Sequence, residues 1–213
     1  MIQVRNLTKQ YGDKSAVDHI SFDIEDGKIY GFLGPNGAGK STTMNMITGC
    51  ISATSGSVTV NGKDIFKNPL EAKKHIGYLP ELPPLYPDMT PHEYLTFVAE
   101  AKGVGAEATY LQVNRVMELT AITDVRDRLI GNLSKGYRQR VGIAQALLGD
   151  PDVIILDEPT VGLDPKQIIE IRDLIRELGK TKTVILSSHI LAEISATCDH
   201  VIIISRGKVV AND

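Results

Sequence analysis

The fold of this chain is decided by Gly34-Pro35-Asn36-Gly37-Ala38-Gly39-Lys40-Ser41-Thr42, which matches the pattern G-x-x-x-x-G-K-[ST] at every fixed position. Residues 28–33 before it form a short, mostly apolar run that is typical of a buried strand, and residues 41–48 after it predict a helix that ends at Gly49. A glycine-rich turn that merely precedes a helix is the alternative interpretation. The strand before and the helix after favour a phosphate-binding loop in an α/β fold.

The residue types of this loop suit the binding of phosphate oxygens. Glycine at 34, 37 and 39 permits backbone conformations in which successive N–H groups point into one concavity. The helix behind the loop adds about half a positive charge at its start. In such a loop Lys40 reaches the β- and γ-phosphates and the Ser41 hydroxyl holds Mg2+. We therefore predict that all residues from Gly34 to Thr42 contact a nucleoside triphosphate.

Composition and charge narrow the function classes. With 213 residues and 42% hydrophobic residues, the chain can bury the core of one large domain that carries an inserted subdomain. A net charge of −3 does not favour nucleic acid as a partner, because phosphates call for a basic face. No signal peptide opens the chain, and aliphatic runs such as Val201–Ile204 fall far short of the ~20 residues that span a bilayer, so we expect a cytoplasmic protein. Cys50 and Cys198 lack metal-ligand spacing and are expected to be free, buried thiols.

The N-terminal third predicts an antiparallel β subdomain. Residues 2–7 and 20–24 alternate apolar and polar side chains, as half-buried strands do, and Asn61-Gly62 marks a hairpin turn after a β-prone run. Tyr11 is expected in the loop between the first two strands. The residues alone leave two interpretations of Tyr11 open, an aromatic ring that stacks on a purine or an ordinary exposed turn residue.

The middle of the chain, from about residue 87 to 132, predicts a helical insert. Four prolines between 80 and 87 make the preceding loop stiff and partly apolar, which suits either a docking surface or a connector packed on its own domain. Thr90-Pro91-His92-Glu93 then predicts a capped helix start. In a second helix, expected over residues 106–119, the predicted core contacts are Leu111, Val116, Met117 and Leu119.

A second polar helix start follows the insert, at Leu133-Ser134-Lys135-Gly136-Tyr137. The simpler interpretation is that Ser134 caps the helix that continues through residues 141–148. The same residues offer a hydroxyl, an unhindered Gly136 backbone and a positive helix end, which together would also suit an anion. The residues alone leave both interpretations open.

Two carboxylates follow the most aliphatic strand. Val153–Leu156 predicts a strand buried on both faces, and Asp157-Glu158 come directly after it, where open α/β sheets bind their ligands. Beside a phosphate-binding loop, Asp157 can hold Mg2+ through water and Glu158 can orient or deprotonate an attacking water. A pair of solvated strand-end acids is the alternative. His189 ends the buried strand of residues 183–187, from which it could donate to a γ-phosphate, although a single histidine is more often structural.

Taken in order, these motifs resemble the ATP-binding subunit of an ABC transporter over essentially the full length of the chain. A phosphate-binding loop alone identifies only the P-loop NTPase superfamily, whereas the ordered series identifies the family. The series comprises the loop at 34–42, the signature-like Leu133–Tyr137, Asp157-Glu158, Gly162-Leu163-Asp164-Pro165 and His189.

The resemblance implies a fold and a set of partners. The implied fold is α/β, a P-loop NTPase core with a mostly parallel sheet, an N-terminal antiparallel β subdomain and an inserted α-helical subdomain, all within one domain over residues 1–213. Two subunits, in a homodimer, pack head to tail around ATP. An integral membrane permease docks where the proline-rich loop lies after Glu81, and the subunit sits on the cytoplasmic face of the cell membrane. No nucleic acid is implied.

The resemblance also implies residue roles. Ser134 and Gly136 of one subunit contact the γ-phosphate held by the P-loop of the other. Glu158 is the implied general base and His189 the switch residue on the γ-phosphate, while Asp164 takes part in communication across the dimer. For Tyr11 the resemblance favours adenine stacking.

Three residues depart from the usual family pattern. Lys135 replaces a glycine and Tyr137 a glutamine in the signature, and Glu81 stands where a glutamine usually opens its loop. An acidic side chain can still bind Mg2+, so Ser41, Glu81 and Asp157 form the predicted metal set. These variants resemble the ABC-2 exporter branch, which includes multidrug, nodulation and gliding-motility types, and favour export over import. Because members of that branch often carry a further tail, Asp213 is not assumed to be the natural end.

Two functions remain as hypotheses at this point. The first is an ATPase motor subunit whose ATP-driven dimerisation works a separate membrane permease. The second is a soluble regulatory module of ABC type that is not coupled to transport. Soluble proteins of that kind resemble tandem or coiled-coil-split versions of the domain, so a single uninterrupted copy without a basic patch favours the first.

Overall fold

The computed structural model describes residues 1–213, which form two β-sheets with helices packed against them. The strands are β1 (Ile2–Tyr11), β2 (Lys14–Ile24), β3 (Ile29–Leu33), β4 (Ser55–Val60), β5 (Lys63–Asp64), β6 (Ile76–Leu79), β7 (Val153–Leu156), β8 (Thr183–Ser188), β9 (His200–Ser205) and β10 (Lys208–Asn212). The α-helices are α1 (Lys40–Ile47), α2 (Pro69–Lys73), α3 (Pro91–Ala101), α4 (Ala106–Leu119), α5 (Lys135–Leu147), α6 (Pro165–Gly179) and α7 (Leu191–Thr197).

The larger sheet has six strands in the order β10-β9-β3-β8-β7-β6. Every neighbouring pair is parallel except β9 and β10. The strand that leads into the phosphate-binding loop, β3, therefore lies between β9 and β8. Because parallel strands end at the same edge, the residues after β3, β6, β7 and β8 meet there. This arrangement confirms the predicted α/β fold with a mostly parallel sheet.

The smaller sheet is antiparallel, in the order β2-β1-β4-β5, and confirms the predicted N-terminal β subdomain. Its first two strands are longer than predicted, because cross-strand pairing continues to Tyr11, which pairs with Lys14. Tyr11 is thus the last residue of β1 and does not lie in a loop. Both turn residues Asn61 and Gly62 have positive φ, 48° and 76°, as the predicted two-residue hairpin requires.

The segment predicted as a helical insert contains α3 and α4, which pack on α5. Thr90 and Glu93 form the predicted capping box at the start of α3. In α4 the buried apolar side chains are Val113, Val116 and Met117, whereas Leu111 and Leu119 are exposed. The prediction that those two leucines are core contacts was wrong. The face of α4 that packs on the rest of the chain carries Val113 together with Val116 and Met117, and the two leucines lie outside it.

Neither cysteine forms a disulfide, as predicted. Cys50 is exposed at the turn after α1, so the expectation that it is buried was wrong. Cys198 is partly buried, and this burial raises the pKa of its thiol to about 12. No helix of the chain is both long enough and apolar enough to cross a membrane.

Candidate functional site

The glycines of the loop between β3 and α1 serve two different purposes. Gly37 and Gly39 have left-handed backbones with φ of 76° and 107°, which confirms that the loop needs conformations unfavourable for other residues. Gly34 has no such backbone. A side chain at Gly34 would instead collide with the backbone carbonyl oxygen of Ile204, so this glycine is required for close packing.

A cavity of about 590 Å³ opens against this loop. One wall carries Glu81, Glu158 and His189, which follow β6, β7 and β8 respectively. The structure thus brings the loop and the predicted strand-end residues together at one edge of the sheet. The loop residues that line the cavity are Asn36, Gly37, Gly39, Lys40, Ser41 and Thr42, and its remaining lining residues are Lys14, Ser15, Ala16, Val161, Arg206 and Gly207. Gly34, Pro35 and Ala38 of the predicted set do not line it.

Lys40 is held in place although it is almost fully buried. Its ammonium group donates to the carbonyl oxygens of Gly34 at 2.7 Å and Pro35 at 3.3 Å. The same Nζ lies 3.4 Å from Oε1 of Glu158. A buried cation normally needs such partners to remain charged. The loop therefore presents a fixed positive charge to the cavity.

Glu158 occupies an unusual backbone position. Its φ is 48°, in the left-handed region, and its side chain is buried. Oε2 lies 3.1 Å from Nδ1 of His189, while Oε1 is buried without a hydrogen bond and has only the Lys40 charge nearby. A buried carboxylate oxygen with free acceptor capacity, on the wall of a polar cavity, suits the acceptance of a proton from water.

Ser187 is a site residue that the sequence reasoning missed. Its hydroxyl accepts a hydrogen bond from the Glu158 N–H at 2.8 Å and donates to Oδ1 of Asp157 at 2.6 Å, and the residue is fully buried. It therefore fixes both carboxylate residues. A polar residue that ends the otherwise aliphatic run Val184–Leu186 was the available signal.

The predicted metal set is only partly assembled around the cavity. Ser41 and Glu81 line it, and a hydroxyl with a carboxylate is the kind of oxygen donor set that Mg2+ prefers. Asp157 is buried behind the wall, next to Ser187, and does not line the cavity. Burial, with a smaller contribution from the Asp157 charge, raises the pKa of the neighbouring Tyr78 well above its usual range.

The second polar helix start lies apart from this cavity. The Ser134 hydroxyl accepts from the Tyr137 N–H at 3.4 Å, which confirms that Ser134 caps α5. Gly136 is not unhindered as expected, since a Cβ there would lie 2.6 Å from the side-chain amide carbon of Gln167. Neither Ser134 nor Gly136 lines the cavity, and Gly136 borders a separate groove of about 860 Å³ between α5 and α6. One chain alone does not bring the two helix starts together.

The two residues that differ from the usual family signature, Lys135 and Tyr137, make contacts within the chain. The Tyr137 hydroxyl donates to Asp124 at 2.5 Å, and this hydrogen bond raises the pKa of Tyr137. The ammonium group of Lys135 lies against Gly162, where it occupies the position that a side chain at residue 162 would take. Asp164 caps α6 by accepting from the Gln167 N–H at 2.9 Å, as predicted.

Tyr11 lies outside the cavity lining, although the hairpin that carries it supplies Lys14, Ser15 and Ala16 to one wall. Tyr11 is 54% exposed, and the Lys9 ammonium lies 5.2 Å from the centre of its ring. The ring is therefore accessible to a flat ligand next to the cavity.

The proline-rich loop carries exposed apolar side chains. Leu82 is 84% exposed and Tyr86 is 48% exposed. The Tyr86 ring packs against Phe97 of α3, with 5.8 Å between centroids. The loop is thus anchored on the helical segment and also presents an apolar surface.

Comparison with known proteins agrees with this geometry. The profile described as "ABC transporter" matches residues 17–161. The chain is 43% identical over 210 residues to the bacitracin transport ATP-binding protein BcrA of Bacillus licheniformis, covering 98% of this chain and 68% of the relative. It is 35% identical to the Nod factor export ATP-binding protein I of Burkholderia lata, covering 99% and 69%. Among solved structures, MJ0796, described as a dimeric bacterial ABC transporter cassette, superimposes with a TM-score of 0.89 at 27% identity, covering 100% of this chain and 98% of MJ0796.

Proposed function

This chain belongs to the ABC transporter family as an ATP-binding, ATP-hydrolysing subunit, and from that premise we propose how its residues bind and hydrolyse ATP and which partners they serve. One observation carries the proposal. Lys40, Glu158 and His189, far apart in sequence, converge on a single polar cavity beside the glycine loop. Residues 1–213 make one ABC-type domain, with about residues 87–132 as its inserted helical subdomain.

In the proposed reaction, a water attacks the γ-phosphorus and the bond to the β–γ bridging oxygen breaks. The Lys40 ammonium, held by two loop carbonyls, faces the β- and γ-phosphates and stabilises their charge. Glu158 accepts the proton of the attacking water, and its free Oε1 supports this role. His189 beside Oε2 orients Glu158 and donates to the γ-phosphate.

We propose Mg2+ as the cofactor. Ser41 and Glu81 would hold it, with Asp157 acting through water, and the bound ion would supply charge neutralisation at the transferring phosphoryl group. The first two residues line the cavity, which supports the assignment. Asp157 is held behind the cavity wall by the hydrogen bond that its Oδ1 accepts from the Ser187 hydroxyl, so it would act through a bridging water.

The active form is proposed to be a head-to-tail homodimer. In one chain Ser134 and Gly136 both lie outside the cavity, and Gly136 borders a separate groove, so the two residues reach a γ-phosphate only if a second chain supplies the P-loop. The description of the similar MJ0796 cassette as dimeric supports this arrangement. Asp164, on the loop that follows Glu158, would pass the state of one site to the other.

The proposed partner in the membrane is a separate permease that this subunit drives in export. The exposed Leu82 and Tyr86, backed by Phe97, offer the docking surface. The subunit would then sit on the cytoplasmic face of the cell membrane, where ATP is available. Similarity to a Nod factor export protein and a bacitracin transport protein favours export and a transport role over a regulatory module.

The Glu158→Gln variant tests this function. It keeps the glycine loop and Lys40 but removes the proton acceptor, so we expect it to bind ATP, hydrolyse it at least a hundredfold more slowly and accumulate as a dimer. Size-exclusion chromatography with light scattering, with and without ATP, measures the dimer. The wild type with ADP, which we expect to stay monomeric, is the control. Unchanged turnover in the variant would refute Glu158 as the base.

A further inference from the structure

Two basic side chains line the nucleotide cavity without belonging to any of the motifs used so far. These are Lys14 at the start of β2 and Arg206 in the turn between β9 and β10. Neither makes an ion pair within 4.0 Å or a side-chain hydrogen bond. Lys208, two residues from Arg206, is by contrast paired with Asp18 at 3.2 Å. The chain thus leaves two unneutralised cations facing a cavity that takes a polyanion.

The backbone at Arg206 does not favour arginine. Arg206 and Gly207 are the two residues between the paired Ser205 and Lys208, and both have positive φ, 50° and 76°. A two-residue turn of this kind prefers Asn, Asp or Gly at its first position. A long side chain in the left-handed region is instead unfavourable. Stability of the turn therefore gives no reason for an arginine at this position.

The turn is attached directly to the phosphate-binding loop. The Gly207 N–H donates to the Ala38 carbonyl at 2.8 Å, and the Gly207 carbonyl accepts from the Asp18 N–H at 2.8 Å. A Cβ on Gly207 would lie 2.9 Å from the carbonyl oxygen of Ala16, so the turn packs closely against the start of β2. The backbone of Arg206 is thereby held at a constant position relative to the loop.

The order of strands decides which end of the nucleotide Arg206 faces. The turn extends from β9, on one side of β3, whereas Glu158 and His189 follow β7 and β8 on the other side. The contact between Lys40 and Glu158 places the γ-phosphate end on the β8 side. Arg206 therefore lies toward the opposite end, as does the β1–β2 hairpin bonded to its turn.

We propose that Arg206, assisted by Lys14, binds the α-phosphate and ribose portion of the nucleotide and so contributes equally to the binding of ATP and ADP. This inference rests on the proposed nucleotide site but concerns residues outside its motifs. A guanidinium that reaches a phosphate makes charge-assisted hydrogen bonds. Lys14 adds a second, more mobile charge at the same rim.

The substitution Arg206→Asn separates binding from stability. Asparagine suits the left-handed turn, so the melting temperature of the free protein should stay the same or rise. Affinity for ADP and for a non-hydrolysable ATP analogue, measured by isothermal titration calorimetry, should fall by a similar factor, about five- to twentyfold. Lys14→Gln should weaken both by a smaller factor. Lys208→Gln, which removes a charge from the same hairpin outside the cavity, is the matched control and should bind as the wild type does.

The possible outcomes distinguish this inference from the proposed function. Unchanged affinities in Arg206→Asn, while the wild type binds both nucleotides, would overturn the inference alone. A loss confined to the ATP analogue would also overturn it, because it would place Arg206 at the γ-phosphate. Absence of nucleotide binding by the wild type would overturn the proposed function itself. Partial recovery in Arg206→Lys, which restores the charge without the planar group, would support the inference.

Discussion

The substitution Ser187→Ala gives the sharpest test of how the two carboxylate residues are held. In the native chain the Ser187 hydroxyl accepts from the backbone N–H of Glu158 and donates to Asp157, at 2.8 and 2.6 Å. All three residues are buried. The substitution removes a single oxygen atom, so the packing changes little and the effect comes from the two hydrogen bonds.

The two losses can be estimated separately. A buried N–H group left without a partner costs about 1–3 kcal/mol, and a hydrogen bond to a charged group contributes about 1.5–3 kcal/mol. Because the effects overlap at one atom, we expect a total loss of about 3 kcal/mol in the free energy of unfolding. That is a large share of the roughly 5–15 kcal/mol typical of a folded domain. The N–H group that would lose its partner belongs to Glu158. The backbone of this residue is left-handed, with φ 48°, a conformation that persists only when surrounding contacts stabilise it.

Urea denaturation of the nucleotide-free protein measures the stability change, and the rate of phosphate release measures turnover per folded molecule. We expect turnover to fall at least tenfold, since Glu158 loses its backbone anchor. The control is Ser21→Ala, in which the lost hydroxyl accepts one bond from the Asn6 N–H at an exposed position. The control should lose less than about 1 kcal/mol. If Ser187→Ala lost no more stability than Ser21→Ala and kept normal turnover, the anchoring of Glu158 and Asp157 by Ser187 would be refuted.

Three further predictions concern the nucleotide and the dimer. Lys40→Ala should weaken ATP binding at least tenfold, because it removes the buried ammonium that faces the phosphates, and an unaltered ATP dissociation constant would contradict this. Tyr11→Ala should weaken ATP binding about three- to tenfold while Tyr11→Phe keeps it, since stacking needs the ring and not the hydroxyl; an equal loss in both variants would exclude stacking. If the site is shared between two chains, ATPase activity per milligram should fall on dilution, and an activity independent of concentration would show that one chain suffices or that the dimer is already tight.

Several features were predictable because they depend on residues close together in sequence. The glycine loop, the capping box of Thr90 and Glu93, and the turn at Asn61-Gly62 are each specified within a few residues. The aliphatic run Val153–Leu156 likewise predicts its own burial on both faces of a parallel sheet. Such local signals determine which elements form, and their order along the chain was enough to identify the family.

Other features depend on what each residue meets across the fold. Gly34 is required because the backbone of Ile204 lies against it, and Gly136 is covered by the side chain of Gln167. Neither contact can be predicted from the residues nearby in sequence. Leu111 proved exposed because the packing of α4 on its neighbours buries Val113 instead.

The sequence by itself determined the α/β class, the phosphate loop and the identity of the acid pair, because these follow from short-range backbone preferences and strand hydrophobicity. Only the tertiary structure showed that Ser187 fixes that acid pair and that the Arg206 turn is bonded to the phosphate loop. Both arrangements arise from the order of strands in the sheet, which places distant segments side by side. A contact between such segments depends on how the whole chain packs, and no short stretch of residues encodes it.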